Sequence, residues 1–164
     1  MAAAGNTRRT GIDFPASLDN VIAAGAVDAR GERASYSSTG PELELMGPGG
    51  DCERDDNRDG YGDCVFQQMP DPDAVAVGIY DDFCFCGLDG TSMASPHVAA
   101  AAALLISQGI TDPDAVRAAL QQTAESVAGS PENGRNDQAG YGLIQPAPAL
   151  SGLGLDQGPV SSGQ

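Results

Sequence analysis

A chain of 164 residues is long enough for one domain whose core hides roughly two-thirds of the surface that the unfolded chain would expose. With 41% hydrophobic and 19% charged residues it reads as globular, and 22 Gly and 11 Pro imply many turns. The formal charge of -15, from 23 acidic against 8 basic residues, argues against nucleic acid or an anionic membrane as partner and favours solubility and bound cations.

No run of about 18 apolar residues is present, so no membrane span is expected. The start, Met1-Ala2-Ala3-Ala4-Gly5-Asn6, has neither the charged beginning nor the apolar stretch of a signal peptide. No internal repeat or long linker divides the chain, so a single unit is expected over residues 1 to 152.

Residues 20 to 27, NVIAAGAV, form an almost continuous apolar run bounded by turn residues, as in a strand buried on both faces of a parallel sheet. Glu42 to Met46 alternates, which predicts a half-buried strand ending at the breaker Gly47-Pro48-Gly49-Gly50. An acidic, irregular insertion is expected over about 51 to 73, with a return to strand at Ala74 to Tyr80. From Ser92 to Ser107 the chain carries no charge and is rich in Ala and Leu, which predicts a central helix buried on every side, with Pro96 in about its first turn. Thr111-Asp112-Pro113-Asp114 supplies a capping side chain, an initiating proline and an acid at the positive dipole end for a helix to about Thr123. The Gly, Ser and Gln of 153 to 164 predict a disordered tail.

Within the insertion, Asp55, Asn57, Asp59, Gly60 and Asp63 form a D-x-N-x-D-G-x-x-D pattern. Asp55, Asn57, Asp59, the Tyr61 carbonyl and Asp63 are expected to ligate Ca2+, with Gly60 making the sharp turn. Phe66 stands where a bidentate Glu is expected, leaving Asp51 or Asp71 to complete the shell; the alternative is a solvated acidic turn. Cys52 and Cys64 flank the loop, and a disulfide between them would close it. Cys84 and Cys86 share a face of an extended segment but suit no common zinc spacing. Four cysteines allow three pairings, and free thiols are a further alternative.

Gly90-Thr91-Ser92-Met93-Ala94-Ser95-Pro96-His97 puts a serine at the mouth of the apolar helix, where free backbone donors and positive potential can stabilise an oxyanion. Taken alone, such a serine more often only caps a helix. The string resembles the nucleophile signature of the subtilisin-like serine proteases, and the resemblance extends over most of residues 2 to 50 and 88 to 150. It implies a three-layer α/β fold with a mostly parallel sheet, present as its C-terminal part, and a serine endopeptidase acting through Ser92. It further implies that Asn6 is the side-chain oxyanion donor. Ala3, Ala4 and Gly5 become a wall of the pocket for the residue preceding the scissile bond. Two departures are Ala100 in place of Gly and Gly47 in place of Ala.

In that family the triad runs Asp, His, Ser, and both partners precede the position of Asn6. Only five residues precede Asn6 here, so the acid and base are expected to be absent, and Met1 reads as an internal start. The one histidine, His97, lies about 140° around the helix and about 7.5 Å along it from Ser92, so a packing role is expected. Without a base the chain should be nearly inert, and a sheet cut through its middle should expose apolar strand faces and an unpaired edge. The complete enzyme is expected to be secreted and calcium-stabilised, to cleave polypeptide substrates, and to need the missing N-terminal half. The rival is a non-catalytic calcium-binding or assembly module derived from a protease.

Overall fold

The computed structural model describes residues 1–128 and 134–151; the tail expected to be disordered lies outside the described residues. Small apolar residues set the centre. β1 (Ala2–Ala3), β2 (Ala23–Val27) and β3 (Leu43–Pro48) form a parallel sheet in the order β1-β2-β3. Every residue of β2 is buried, as its unbroken apolar run requires. Within β2, a Cβ on Gly25 would lie 2.6 Å from the Met46 sulfur, so the third position has no room for a side chain.

β3 is longer and more buried than its alternating sequence implies. It continues through Gly47-Pro48, and Leu43, Leu45 and Met46 are fully buried. A proline is tolerated because β3 is an edge strand of this sheet. Gly47 is needed where helix α2 (Thr91–Ser107) crosses: a Cβ there would stand 2.8 Å from the Ala94 carbonyl oxygen.

One face of the sheet packs against α2, α3 (Pro113–Gln122) and α4 (Pro146–Ser151). Ala24 and Leu45 meet Val98, Ala101, Leu105, Leu120 and Ile144 there. The other face buries Val27, Leu43 and Met46 beneath Val127 and Ala139. α3 begins as its sequence implies: the Asp112 side chain accepts from the Ala115 amide at 2.9 Å, and Pro113 follows at the first helical position.

Three expectations are corrected. Ala74 to Tyr80 is not a strand. Asp71 caps a short helix, here termed α1 (Pro72–Ala76), accepting from the amides of Asp73 and Ala74, and this start signal outweighs the strand preference of Val75, Val77 and Ile79. The strands of the insertion are instead β4 (Val65–Pro70) and β5 (Phe83–Leu88), an antiparallel pair with α1 in its connection. Second, α2 is not buried on every side. Ala94, Val98, Ala101, Ala102 and Leu105 face the core, whereas Pro96, Ala99, Ala100, Ala103, Leu104 and Ile106 are exposed. Apolar residues thus cover both faces, but among the described residues only one face is packed against the core. Third, Pro96 is the sixth residue of α2 rather than part of its first turn, so the Ser92 carbonyl has no amide four residues on.

The two faces of α2 differ measurably. Leu105→Ala is expected to cost about 2–5 kcal/mol in urea unfolding, as for a buried leucine, and Leu104→Ala, 48% exposed, less than about 0.5 kcal/mol.

Candidate active site

β1 delivers its following residues, Ala4-Gly5-Asn6, to the mouth of α2. The junction is made by Thr91, which is 1% exposed. Its amide and its hydroxyl both donate to Asn6 Oδ1, at 2.9 and 2.8 Å, and its hydroxyl accepts from the Gly5 amide at 3.2 Å. Because a backbone N–H can only donate, Asn6 Oδ1 must face Thr91, which leaves Nδ2 on the other side of the carboxamide. There it lies over Gly90. A Cβ on Gly90 would come within 3.0 Å of Asn6 Nδ2, and φ of +141° is one that only glycine adopts readily.

Gly90, not Ser92, caps α2, and no side chain caps it. Ser92 is exposed as the second helical residue. Among the described residues, neither its amide nor Asn6 Nδ2 has an acceptor. Two unspent donors at a helix N-terminus are what a developing oxyanion requires. Ala3, Ala4 and Gly5 lie along the strand end that carries Asn6.

Among the described residues, no base stands beside the serine. The Ser92 hydroxyl has no hydrogen-bond partner among the described residues, and His97 Nδ1 donates to the Met93 carbonyl at 2.8 Å, back along its own helix. The packing role expected of His97 agrees with this geometry.

Tyr36 is a participant that the sequence does not reveal. Its hydroxyl donates to the Gly50 carbonyl at 2.7 Å and accepts from the Gly90 amide at 3.0 Å, tying the loop before Ser92 to the loop after β3. Burial pushes the Tyr36 phenol well above its ordinary range; the Gly90 bond opposes this, and Asp89, Asp51 and Asp28 add to it. Asn6, Tyr36, Gly90, Asp51 and Asp89 border a polar cavity of about 210 Å³.

In the acidic loop the expected ligand oxygens turn onto loop amides. Asp55 accepts from Asp59 and Gly60, Asn57 from Asp59, Asp59 from Tyr61, and Asp63 from Asp56, at 2.7–3.1 Å. The Tyr61 side chain is exposed. Among the described residues no three His, Cys, Asp or Glu side chains converge into a metal-holding group. The residues match calcium ligands in type and order, but here their side-chain oxygens are engaged with loop amides. Cys52–Cys64 closes the loop, and Cys84–Cys86 pair within β5. Arg30 ties the loop to the end of β2, bridging Asp28 and Asp56. The Arg54 hydrogen bond holds the Asp56 carboxyl below its ordinary range.

Thr91→Val strips Asn6 of one donor and the Gly5 amide of its acceptor, and should cost about 1–3 kcal/mol in urea unfolding, with the paired Asn6 side-chain NH2 resonances losing their distinct shifts. Tyr36 releases its proton from the unfolded chain near the ordinary pKa of about 10 but holds it when folded. Stability should therefore fall as pH rises above about 10, and Tyr36→Phe should remove that part of the slope in a pH series of unfolding curves.

Residues 1–142 match the model of the Peptidase_S8 subtilase family. Subtilisin DY of Bacillus licheniformis is 39% identical over 135 residues, covering 79% of this chain and 40% of its own length. Thermitase of Thermoactinomyces vulgaris is 31% identical over 130 residues, covering 79% and 38%. Among solved structures, a protease from Pseudoalteromonas arctica PAMC 21717 superposes with a TM-score of 0.75 at 25% identity, covering 92% of this chain and 41% of its own. The prenylagaramide maturation protease PagA gives a TM-score of 0.67 at 26% identity, covering 93% and 49%. The chain spans about two-fifths of the length of these curated relatives. No helix among the described residues is long and apolar enough to cross a membrane. With the family model, the relatives and the α/β architecture in agreement, the chain belongs to the subtilase family.

Proposed function

We propose that this chain is the nucleophile-bearing part of a secreted serine endopeptidase and is inert by itself. The observation that carries the reading is the Thr91 clamp, which sets Asn6 beside the helix mouth where Ser92 stands exposed. In the complete enzyme the Ser92 oxygen attacks the peptide carbonyl carbon, and its proton passes to a base on the N-terminal half of the catalytic domain. The carbonyl oxygen becomes an oxyanion held by Asn6 Nδ2 and the Ser92 amide. The carbonyl reforms as the C–N bond breaks, the base returns the proton to the leaving amine, and water then hydrolyses the acyl-serine. Ala3, Ala4 and Gly5 wall the pocket for the residue before the scissile bond.

The bare stripe of α2 supports the partner in this reading, since Leu104 and Ile106 are 48% and 50% exposed and are apolar surface awaiting cover. Both local disulfides suit an oxidising compartment. Calcium belongs to the same proposal. Asp55, Asn57, Asp59, the Tyr61 carbonyl and Asp63 would hold it, brace the insertion, and take no part in the bond-breaking steps.

A fluorophosphonate probe should leave Ser92 unmodified in this chain and label it once a segment supplying the catalytic Asp and His is bound; rapid labelling of the chain alone would overturn its inertness. In the assembled enzyme Asn6→Ala should cut turnover about a hundred- to a thousand-fold, the range known for loss of the side-chain oxyanion donor from subtilisin itself. Calorimetric titration with Ca2+ should give heat that Asp59→Ala abolishes, and no heat at millimolar calcium would remove calcium from the proposal.

A further inference from the structure

The substrate carbonyl that meets Asn6 Nδ2 belongs to the residue before the scissile bond, and that residue's side chain springs from the adjacent carbon. It must therefore lie within a few ångströms of the strand end that carries Asn6. Gly5 is the residue before Asn6, and the space its missing side chain leaves is taken. A Cβ on Gly5 would collide with Asp13 Oδ2 and lie 2.8 Å from Asp13 Cγ. The carboxylate of Asp13 thus rests against Gly5.

Its backbone is fixed there: the Asp13 amide donates to the Ala4 carbonyl at 3.1 Å, and the Asp13 carbonyl accepts from the Ser17 amide at 3.2 Å. Its side chain is otherwise uncommitted. Among the described residues the Asp13 carboxylate takes part in no ion pair and accepts no hydrogen bond, in contrast to Asp28 and Asp56, which both meet Arg30. Asp13 is also exposed, so its carboxylate is open to a ligand.

We propose that Asp13 is a specificity-determining residue that selects lysine or arginine immediately before the scissile bond. The inference rests on the reading that Ala3, Ala4 and Gly5 wall that pocket. A carboxylate at such a wall attracts a cationic side chain and repels an acidic one, the logic by which an aspartate in the pocket of trypsin chooses basic residues. The long stems of lysine and arginine pack along the small Ala and Gly surface while their heads reach the carboxylate.

The test needs no catalysis. Peptides ending in a free carboxylate mimic the cleavage product, with the terminal carboxylate at the Asn6 and Ser92 donors. Their binding to the whole chain can be followed by 15N NMR at the Asn6 side chain and the Ser92 amide. An acetylated tetrapeptide ending in lysine should bind about five- to tenfold more tightly than its norleucine counterpart. Asp13→Asn should remove the preference, and Asp13→Lys should shift it toward a peptide ending in glutamate. Equal binding of lysine and norleucine peptides at the Asn6 and Ser92 donors, unchanged by Asp13→Asn, would overturn the role of Asp13 and leave the pocket reading intact. Absence of any shift at those donors would overturn the pocket reading, and Asp13 selection with it.

Discussion

Residues 6 and 91 lie 85 positions apart in the chain, yet a single carboxamide oxygen receiving two donors from one threonine joins the end of a strand to the start of a helix. The site follows from that junction. With Oδ1 consumed, Asn6 can offer only Nδ2 outward, and with Gly90 at φ +141° the chain can enter α2 so that the Ser92 amide is left unspent. Hydrogen bonds of this kind contribute only about 1 kcal/mol each to stability, but breaking a buried member costs more than making it gains. The arrangement is therefore better understood as a constraint on orientation than as a source of stability.

Around the junction, glycine and alanine fix the spacing. Gly47 admits the backbone of α2 to the edge of β3, and Gly25 leaves room for Met46 beside β2. Ala23, Ala24 and Ala26 are fully buried in β2. A sheet built from such small residues can hold a helix close, which in turn brings the helix mouth level with the strand ends. Tyr36 adds a second tether between Gly50 and Gly90, so the turn before Ser92 is held from both the Asn6 side and the far side. What the described residues lack is a proton acceptor for Ser92. Oxyanion stabilisation and nucleophile activation are separable in physical origin, one residing in backbone and carboxamide donors and the other in a titratable base.

Legibility in the sequence followed locality. The helix over Thr91–Ser107 and the cap of α3 at Asp112 rest on residues close together in the chain, and both were readable. Ser92 and Asn6 stand out in the sequence only through a motif shared with a family, because nothing local distinguishes this asparagine after glycine from one in an ordinary turn. Thr91 and Tyr36 were not, since each acts through partners 14 to 86 residues away. The strand expected at Ala74 to Tyr80 failed because its β-branched residues follow an aspartate cap and a proline, and local capping decided the matter where no neighbouring strand was present to reward extension. The uncharged α2 gave no clue to which of its faces lacks cover, since the buried and bare residues are equally apolar.

The central claim is that the oxyanion-binding geometry is formed by this chain's own residues, independently of any base. It is tested most directly by measuring through-hydrogen-bond NMR coupling between the Thr91 amide nitrogen and the Asn6 side-chain carbonyl carbon. A resolvable coupling, with an ordered Asn6 carboxamide, is the result expected. No coupling, together with an Asn6 side chain averaging freely on the nanosecond timescale, would contradict the account.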